Sequence, residues 1–393
     1  MSQFTFYANK PSQSYHKVDM SLMLSMLLLW GLGIFTLFAC TKTHFTNNPF
    51  GYVRRQLISS AIGFVFFFIF MFMDIKIIRK MIGAIVIVSV ILCCLTFIKP
   101  LSIEKNGARR WLKMPGNFSF QPSELVKFAV VLFLANYFDK QERLADPEEK
   151  NVLLSVVVLC FFIFLVVLQK DLSTSIFIFC IGILMFFVAG QKLLWIVPFI
   201  IISIPLALIS MLVEEYRINR ILGWLHPELY NTTLNYQANA AKAAISAGGV
   251  WGSGIGSGLV KINSIPENQA DYIFAGWAEA MGYVGVIAYF LVLIFFAWRG
   301  YKSALNNSDR FSAYASFGCV SIIFMQSIVN TMVVCGVLPS TGIPLPFFSL
   351  GGSSIIVTLA MCGFILNASR SEESIEILEE DDEIRLEDLS YLS

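Results

Sequence analysis

Apolar residues fall along most of this chain in solid blocks, separated by short polar segments, rather than in the alternating or striped patterns of a half-buried strand or surface helix. Ten blocks, near 19–40, 56–73, 81–98, 122–138, 152–169, 174–190, 193–212, 272–297, 312–338 and 351–368, approach the roughly 20 residues that an α-helix needs to cross a bilayer. The pattern predicts an all-α polytopic membrane protein with ten transmembrane helices and one large loop, 213–271, between helices 7 and 8. Only Gly190-Gln-Lys192 divides the sixth block from the seventh. No small-residue cleavage site follows the first block, which is expected to remain as a helix rather than serve as a signal.

Composition agrees with lipid as the main solvent. With 56% hydrophobic residues, 14% charged residues and 36 Phe, a chain of 393 residues has more apolar surface than one soluble core can bury. Three parts follow: an N-terminal extension (1–18), a membrane domain (19–368) and an acidic tail (369–393), whose last 23 residues carry ten Asp or Glu. That tail reads as a solvated extension or a docking peptide.

Lys and Arg divide 14 to 13 between the two sides, so positive charge does not orient the chain. On the side away from the termini they gather at two helix mouths, Lys105, Arg109, Arg110 and Lys113 in one loop and Arg217, Arg220 and Lys242 in the other. Such clusters suit an anionic lipid headgroup such as a pyrophosphate, or simple attraction to an anionic leaflet. The eight cysteines fall within or at the edges of the blocks without zinc-ligand spacing, and no metal ligands are assigned. His16, His44 and His226 are scattered through loops, and no chemistry is assigned to them.

Ionisable residues in or near apolar blocks carry more weight, because each costs about 2.5–3.5 kcal/mol at mid-bilayer without a partner or water. Glu124 and Lys127 stand three apart on the opening turns of the fourth helix, which Pro122 should start, and either pair with each other or face a polar cavity. Asp171 ends the fifth span. Asp271 stands where the long loop meets the eighth helix, at the mouth of the membrane domain and placed to take a proton from a substrate. Glu279, about two turns further, is a candidate for cavity lining or proton relay. Within the loop, an interfacial stretch (214–224) and a small-residue helix (237–245) precede the glycine run Gly248-Gly-Val-Trp-Gly-Ser-Gly-Ile-Gly-Ser-Gly258. That run could cradle an anion or bend as a hinge, but lacks the Lys-Ser/Thr ending of a nucleotide loop.

Several segments in one order then carry a resemblance: Asn106-Gly-Ala-Arg-Arg-Trp111, Phe120-Gln-Pro-Ser-Glu-Leu-Val-Lys127, Gln169-Lys-Asp-Leu-Ser-Thr174, Tyr236-Gln237, Gly248-Gly249, Asp271-Tyr-Ile-Phe274 and Pro339-Ser-Thr-Gly-Ile-Pro-Leu-Pro-Phe-Phe-Ser-Leu-Gly-Gly-Ser-Ser354. Together, over about residues 20–368, they resemble the SEDS family, the FtsW, RodA and SpoVE group of bacterial cell-wall synthesis. The stretch Gln326-Ser-Ile-Val-Asn330-Thr-Met-Val-Val-Cys-Gly336, the N-terminal extension and the acidic tail look closer to the division member than the elongation member. The pattern departs at Lys170, Ala241, Ala280 and Leu350, none of which touches Asp271.

The resemblance implies a peptidoglycan glycosyltransferase of the bacterial inner membrane, with both termini cytoplasmic and loop 213–271 extracytoplasmic. It would polymerise lipid II, the disaccharide-peptide carried on undecaprenyl pyrophosphate, with Asp271 as general base and inversion at the anomeric carbon. Arg109, Glu124, Lys127, Asp171 and Gln237 match family positions that line the cavity. Arg109, helped by Arg110, Lys113, Arg217, Arg220 or Lys127, would offset charge on the leaving pyrophosphate, with Lys242 and Glu279 as further lining. A divalent cation, Mg2+ or Mn2+, is implied by the resemblance alone, with no site legible. Expected partners are a class B penicillin-binding protein transpeptidase, other division proteins and membrane lipids, with no nucleic acid. Two other classes stay open: a lipid II flippase or transporter using the same cavity, and a scaffold for which Asp271 is dispensable.

Overall fold

The computed structural model describes residues 18–41, 51–105, 107–144, 151–191, 197, 215–226, 236–254 and 270–370. In chain order these form α1 (Met20–Thr41), α2 (Gly51–Phe72), α3 (Ile75–Leu95), β1 (Ser102–Lys105), β2 (Ala108–Met114), β3 (Phe118–Phe120), α4 (Pro122–Glu142), α5 (Leu153–Leu168) and α6 (Leu172–Val188). They continue as α7 (Glu215–Leu225), α8 (Tyr236–Gly248), α9 (Ile273–Leu305), α10 (Arg310–Val334) and α11 (Gly352–Ser369). Nine of the ten apolar blocks are helices. The seventh (193–212) apart from residue 197, the N-terminal extension up to residue 17 and the acidic tail from 371 lie outside the described residues. Six helices, α1, α2, α3, α9, α10 and α11, are long and apolar enough to cross a bilayer, while α5 and α6 are shorter apolar helices. The chain is a multi-pass membrane protein.

Helix ends follow local chemistry. The Asp74 carboxylate accepts from Lys76 N at 2.8 Å, so α3 starts at Ile75, ahead of the apolar block, and carries Lys76, Arg79 and Lys80 on its first turns. Pro122 opens α4 as its sequence suggests, needing no N–H there. Asp309 caps α10 through Ser312 N and Oγ (3.1 and 2.7 Å). The core centres on α4, α10 and α11, with α11 packed along α2. Phe66, Phe68 and Phe72 of α2, Ile87 and Ile91 of α3, and Leu291 and Ile294 of α9 remain exposed, as a lipid-facing surface requires.

Two features differ from the expectation of simple spans and loops. Residues 102–120 fold into an antiparallel sheet in the order β1-β2-β3, so the chain is not purely α. Ile103 pairs with Trp111 and Leu112 with Phe120. Gly107 and Gly116, both at positive φ, turn the strands in a stretch too short and polar for the block pattern to resolve.

The second difference is larger: α9 is a bent pair of arms, not a straight span. Gly282 sits at φ 63° and ψ −164°, a region open essentially to glycine alone, and there the chain reverses. The Trp277 indole donates to Gly285 O at 2.9 Å, and Phe274 meets the rings of Tyr289 and Phe290 at 5.4 and 6.1 Å. In a straight helix, Phe274 and Tyr289 would stand about 22 Å apart. The arm Ile273–Met281 therefore folds back along the longer arm Tyr283–Leu305.

Breaking a helix inside a membrane domain leaves main-chain groups that need partners. The glycine run supplies them. Ser253 N and Gly254 N donate to Glu279 O and Ala280 O (2.9 and 3.1 Å), while Tyr283 N and Val284 N donate to Gly249 O and Val250 O (3.0 and 3.2 Å). A Cβ on Gly248 would overlap Ala278 O, and one on Gly252 would overlap Ala280 O. Residues 248–254 thus form a backbone strap across the α9 bend, where sequence suggested an anion cradle or hinge.

Candidate functional site

Polar groups collect at both ends of the bundle. At one end lie the first and last described residues, where α1, α9, α10 and α11 begin or finish and carboxylates meet guanidiniums. Asp139, 1% exposed, pairs with Arg79 and with Arg143 (3.1 Å). Asp19 pairs with Arg299 at 2.6 Å and Glu142 with Arg310 at 3.2 Å. The opposite end carries the sheet, the starts of α4, α6 and α9, helices α7 and α8, and the 338–351 segment between α10 and α11.

Asp271 is at this second end, half-buried at the head of the short α9 arm. Because the arm folds back, Asp271 lies recessed among the helices rather than on the outer rim. Two polar side chains one turn apart on α10 set its surroundings. Asn330 Nδ2 donates to Asp271 O (3.0 Å) and to Ile343 O (2.9 Å), while Gln326 Nε2 donates to Pro344 O (2.8 Å). The 338–351 segment is thereby drawn over the carboxylate. Gly342 has φ 73°, and the place its Cβ would take is 3.7 Å from Asp271 Oδ2. Gln56 Nε2 donates to Ser349 O (3.1 Å), and Phe348 packs between Trp277 and Tyr289, tying the same segment to α2 and both arms of α9.

Beside Tyr272 opens a small cleft lined by Arg220, Trp224, Gln237, Lys242, Ser340 and neighbours. Arg220 Nη1 donates to Ser340 O (2.9 Å), and Trp224 Nε1 donates to Gly336 O (3.1 Å). Lys242 lies against Gly336, where any Cβ would overlap its ammonium end. Three of the residues singled out in sequence, Arg220, Gln237 and Lys242, therefore meet in one cleft, which Tyr272, the residue after Asp271, also lines.

A second cluster stands one turn back along α7. Lys170, at φ 62°, ends α5 in the left-handed region and turns its carbonyl outward; Arg217 Nη2 donates to it at 3.0 Å, and Arg110 donates to it as well. Asp171 caps α6 through Thr174 N and Oγ1 (3.4 and 3.0 Å), accepts from Gln121 Nε2 (3.0 Å) and lies 3.6 Å from Arg110 Nη1. Its described contacts make it the keystone of a helix start.

Other candidates stand apart. Arg109 is bound across the strands to Glu104 Oε2 through Nε and Nη2 (3.0 and 2.9 Å), and Lys113 is exposed on the sheet. Glu124 and Lys127, 3% and 2% exposed, pair at 2.8 Å inside the bundle, and the ammonium also donates to Gln326 Oε1 (2.7 Å). Glu279 is buried beside the glycine strap. Sequence reasoning took Gln326 and Asn330 as marks of lineage and did not single out Trp224 or Tyr272. Two amides four apart inside an apolar block were the available signal, since each costs free energy in lipid unless bonded.

Fold and site together define a polytopic membrane protein that holds a recessed carboxylate beside a basic, aromatic-edged cleft. A family profile described as cell cycle protein, for FtsW, RodA and SpoVE, matches residues 19–374. The chain belongs to the FtsW/RodA/SpoVE family. It is 33% identical over 357 residues to a Borreliella burgdorferi protein named "Probable peptidoglycan glycosyltransferase FtsW", covering 89% of this chain and 95% of that one. Stage V sporulation protein E of Bacillus subtilis is 30% identical, with 90% and 97% covered. Among solved structures, one from work on the coordination of polymerization and crosslinking by a peptidoglycan synthase complex superposes with TM-score 0.70 and 25% identity over 90% of this chain and 98% of that one. The rod shape determining protein RodA of Thermus thermophilus shares the fold, with TM-score 0.64, 23% identity, and 90% and 97% covered.

Proposed function

We propose that this protein is a peptidoglycan glycosyltransferase that polymerises lipid II, with Asp271 as its general base. The single observation that carries the reading is the seat of Asp271, held through its carbonyl by Asn330, approached by Gly342 of the 338–351 segment and followed by Tyr272, which lines the cleft of Arg220, Gln237 and Lys242. In the step proposed, the 4-hydroxyl of one lipid-linked disaccharide gives its proton to the carboxylate as its oxygen bonds to the anomeric carbon of another. The bond from that carbon to the lipid diphosphate breaks, and the configuration inverts. Arg220 and Lys242 face the charge that grows on the diphosphate, with Arg217 one turn back on α7 and Arg110 bound to the same Lys170 carbonyl as Arg217.

Among the described residues no three His, Cys, Asp or Glu side chains gather into a cation site. A divalent cation sharing the charge would be held largely by the phosphates, and EDTA followed by Mg2+ or Mn2+ tests for it. The FtsW names of the relatives and the family description as cell cycle protein support a division role, in which both termini would lie in the cytoplasm. The synthase-complex neighbour supports a class B penicillin-binding protein as partner, to be tested by co-purification.

The deciding experiment incubates the purified protein with lipid II in detergent and resolves the glycan chains on a gel. Asp271→Asn should lose about 10²–10⁴-fold in rate. Wild-type polymerisation by Asp271→Asn would remove the base assignment. Glycan formed with no second compartment present separates this reading from a flippase.

A further inference from the structure

We propose that Lys127 is a positioning residue, which orients the Gln326 amide and through it sets the 338–351 segment over Asp271. Its importance for turnover rests on the function proposed above; the positioning itself does not.

Lys127 is too deeply buried to meet substrate. Its ammonium lies among α4, α10 and α6, bonded to Glu124 (2.8 Å) and Gln326 Oε1 (2.7 Å), with the Phe177 ring centroid 5.5 Å away. An ammonium has only hydrogens to offer, so it dictates which end of the Gln326 amide it meets: the oxygen. The NH2 group is then turned toward the 338–351 segment, where it donates to Pro344 O at 2.8 Å. Asn330 makes the companion bonds to Ile343 O and Asp271 O. The next residue back, Gly342, is the one whose Cβ position approaches the Asp271 carboxylate. Pro344 and Pro346 have no N–H, so this stretch can hold itself only through its few remaining amides and through carbonyls bound from outside. One of those outside donors is aimed by a buried charge, and Glu124 keeps that charge affordable in the membrane interior.

Hydrogen exchange on the purified full-length protein tests the relay without reference to turnover. Leu345 N, Phe348 N and Ser349 N are bonded within the segment, to Ser349 Oγ, Leu345 O and Leu345 O, and report its order. In Lys127→Met and in Gln326→Met these amides should exchange about tenfold faster while those of α10 stay protected, and the double variant should exchange no faster than either single one. Lys127→Arg, which retains a donor for the amide oxygen, should restore much of the protection. Lipid II polymerisation should lose about tenfold in kcat with KM nearly unchanged, since only the placement of the base is disturbed. Unchanged exchange at the three amides in Gln326→Met overturns the proposal, as does loss of protection spread equally over α4 and α10, which would mark ordinary loss of packing. If wild-type protein forms no glycan, the functional reading fails while the exchange data still decide the relay.

Discussion

The two polar ends of this bundle use arginine differently. At the end where the described chain begins and finishes, guanidiniums bind carboxylates: Arg79 and Arg143 to Asp139, Arg299 to Asp19, Arg310 to Glu142. At the Asp271 end, Arg217 and Arg220 donate to main-chain carbonyls, those of Lys170 and Ser340, Arg110 divides itself between Lys170 O and Asp171, and Arg109 is held by a carboxylate, that of Glu104 on the neighbouring strand. A carboxylate partner ties an arginine to another helix by charge, whereas a carbonyl partner lets it pin a loop through the main chain. The first end is built as a lock between helices, and the second is the end proposed above as the lipid II receptor.

The strongest challenge to this contrast is Asp139→Asn. Removing the buried carboxylate leaves Arg79 and Arg143 with the more distant Asp309, at 3.8 and 3.9 Å, and should cost about 2–3 kcal/mol, read as a lower melting temperature, with polymerisation per folded molecule unchanged. Arg220→Ala should behave in reverse, lowering kcat/KM by on the order of ten- to a hundredfold, about 1.5–3 kcal/mol, with little change in melting temperature. If each variant damaged both properties equally, the division of labour would not stand. Gly252→Ala probes how the receptor end is held together. At φ 82°, with Ala280 O in the way, the new Cβ should loosen the strap by about 1–3 kcal/mol and lower both melting temperature and activity. Lys113→Ala, on the exposed sheet, should shift lipid II binding by no more than about twofold and only at low salt.

Much of the site was legible as residue types and hardly at all as contacts. Arg220, Gln237 and Lys242 stood out as basic or amide groups in a long loop, and they do line one cleft. Arg109 stood out on the same grounds and is bound to Glu104, because a two-strand register invisible in the block pattern sets the two side by side. Lys127 read equally well as a cavity cation or an ion-pair partner. Burial against Glu124 and Gln326 decides for the interior.

The sequence by itself determined that this chain lives in lipid, where its helices run, and which charged groups would need partners there, because block length and the cost of a lone charge depend on composition and order alone. Tertiary structure decided the reversal at Gly282, the strap of 248–254 across it, and the depth and neighbours of Asp271. A glycine permits a bend without requiring one. Only the packing of Phe274 and Trp277 on the second arm, together with carbonyls and amides matched across 30 residues of sequence, makes the bent arrangement the stable one.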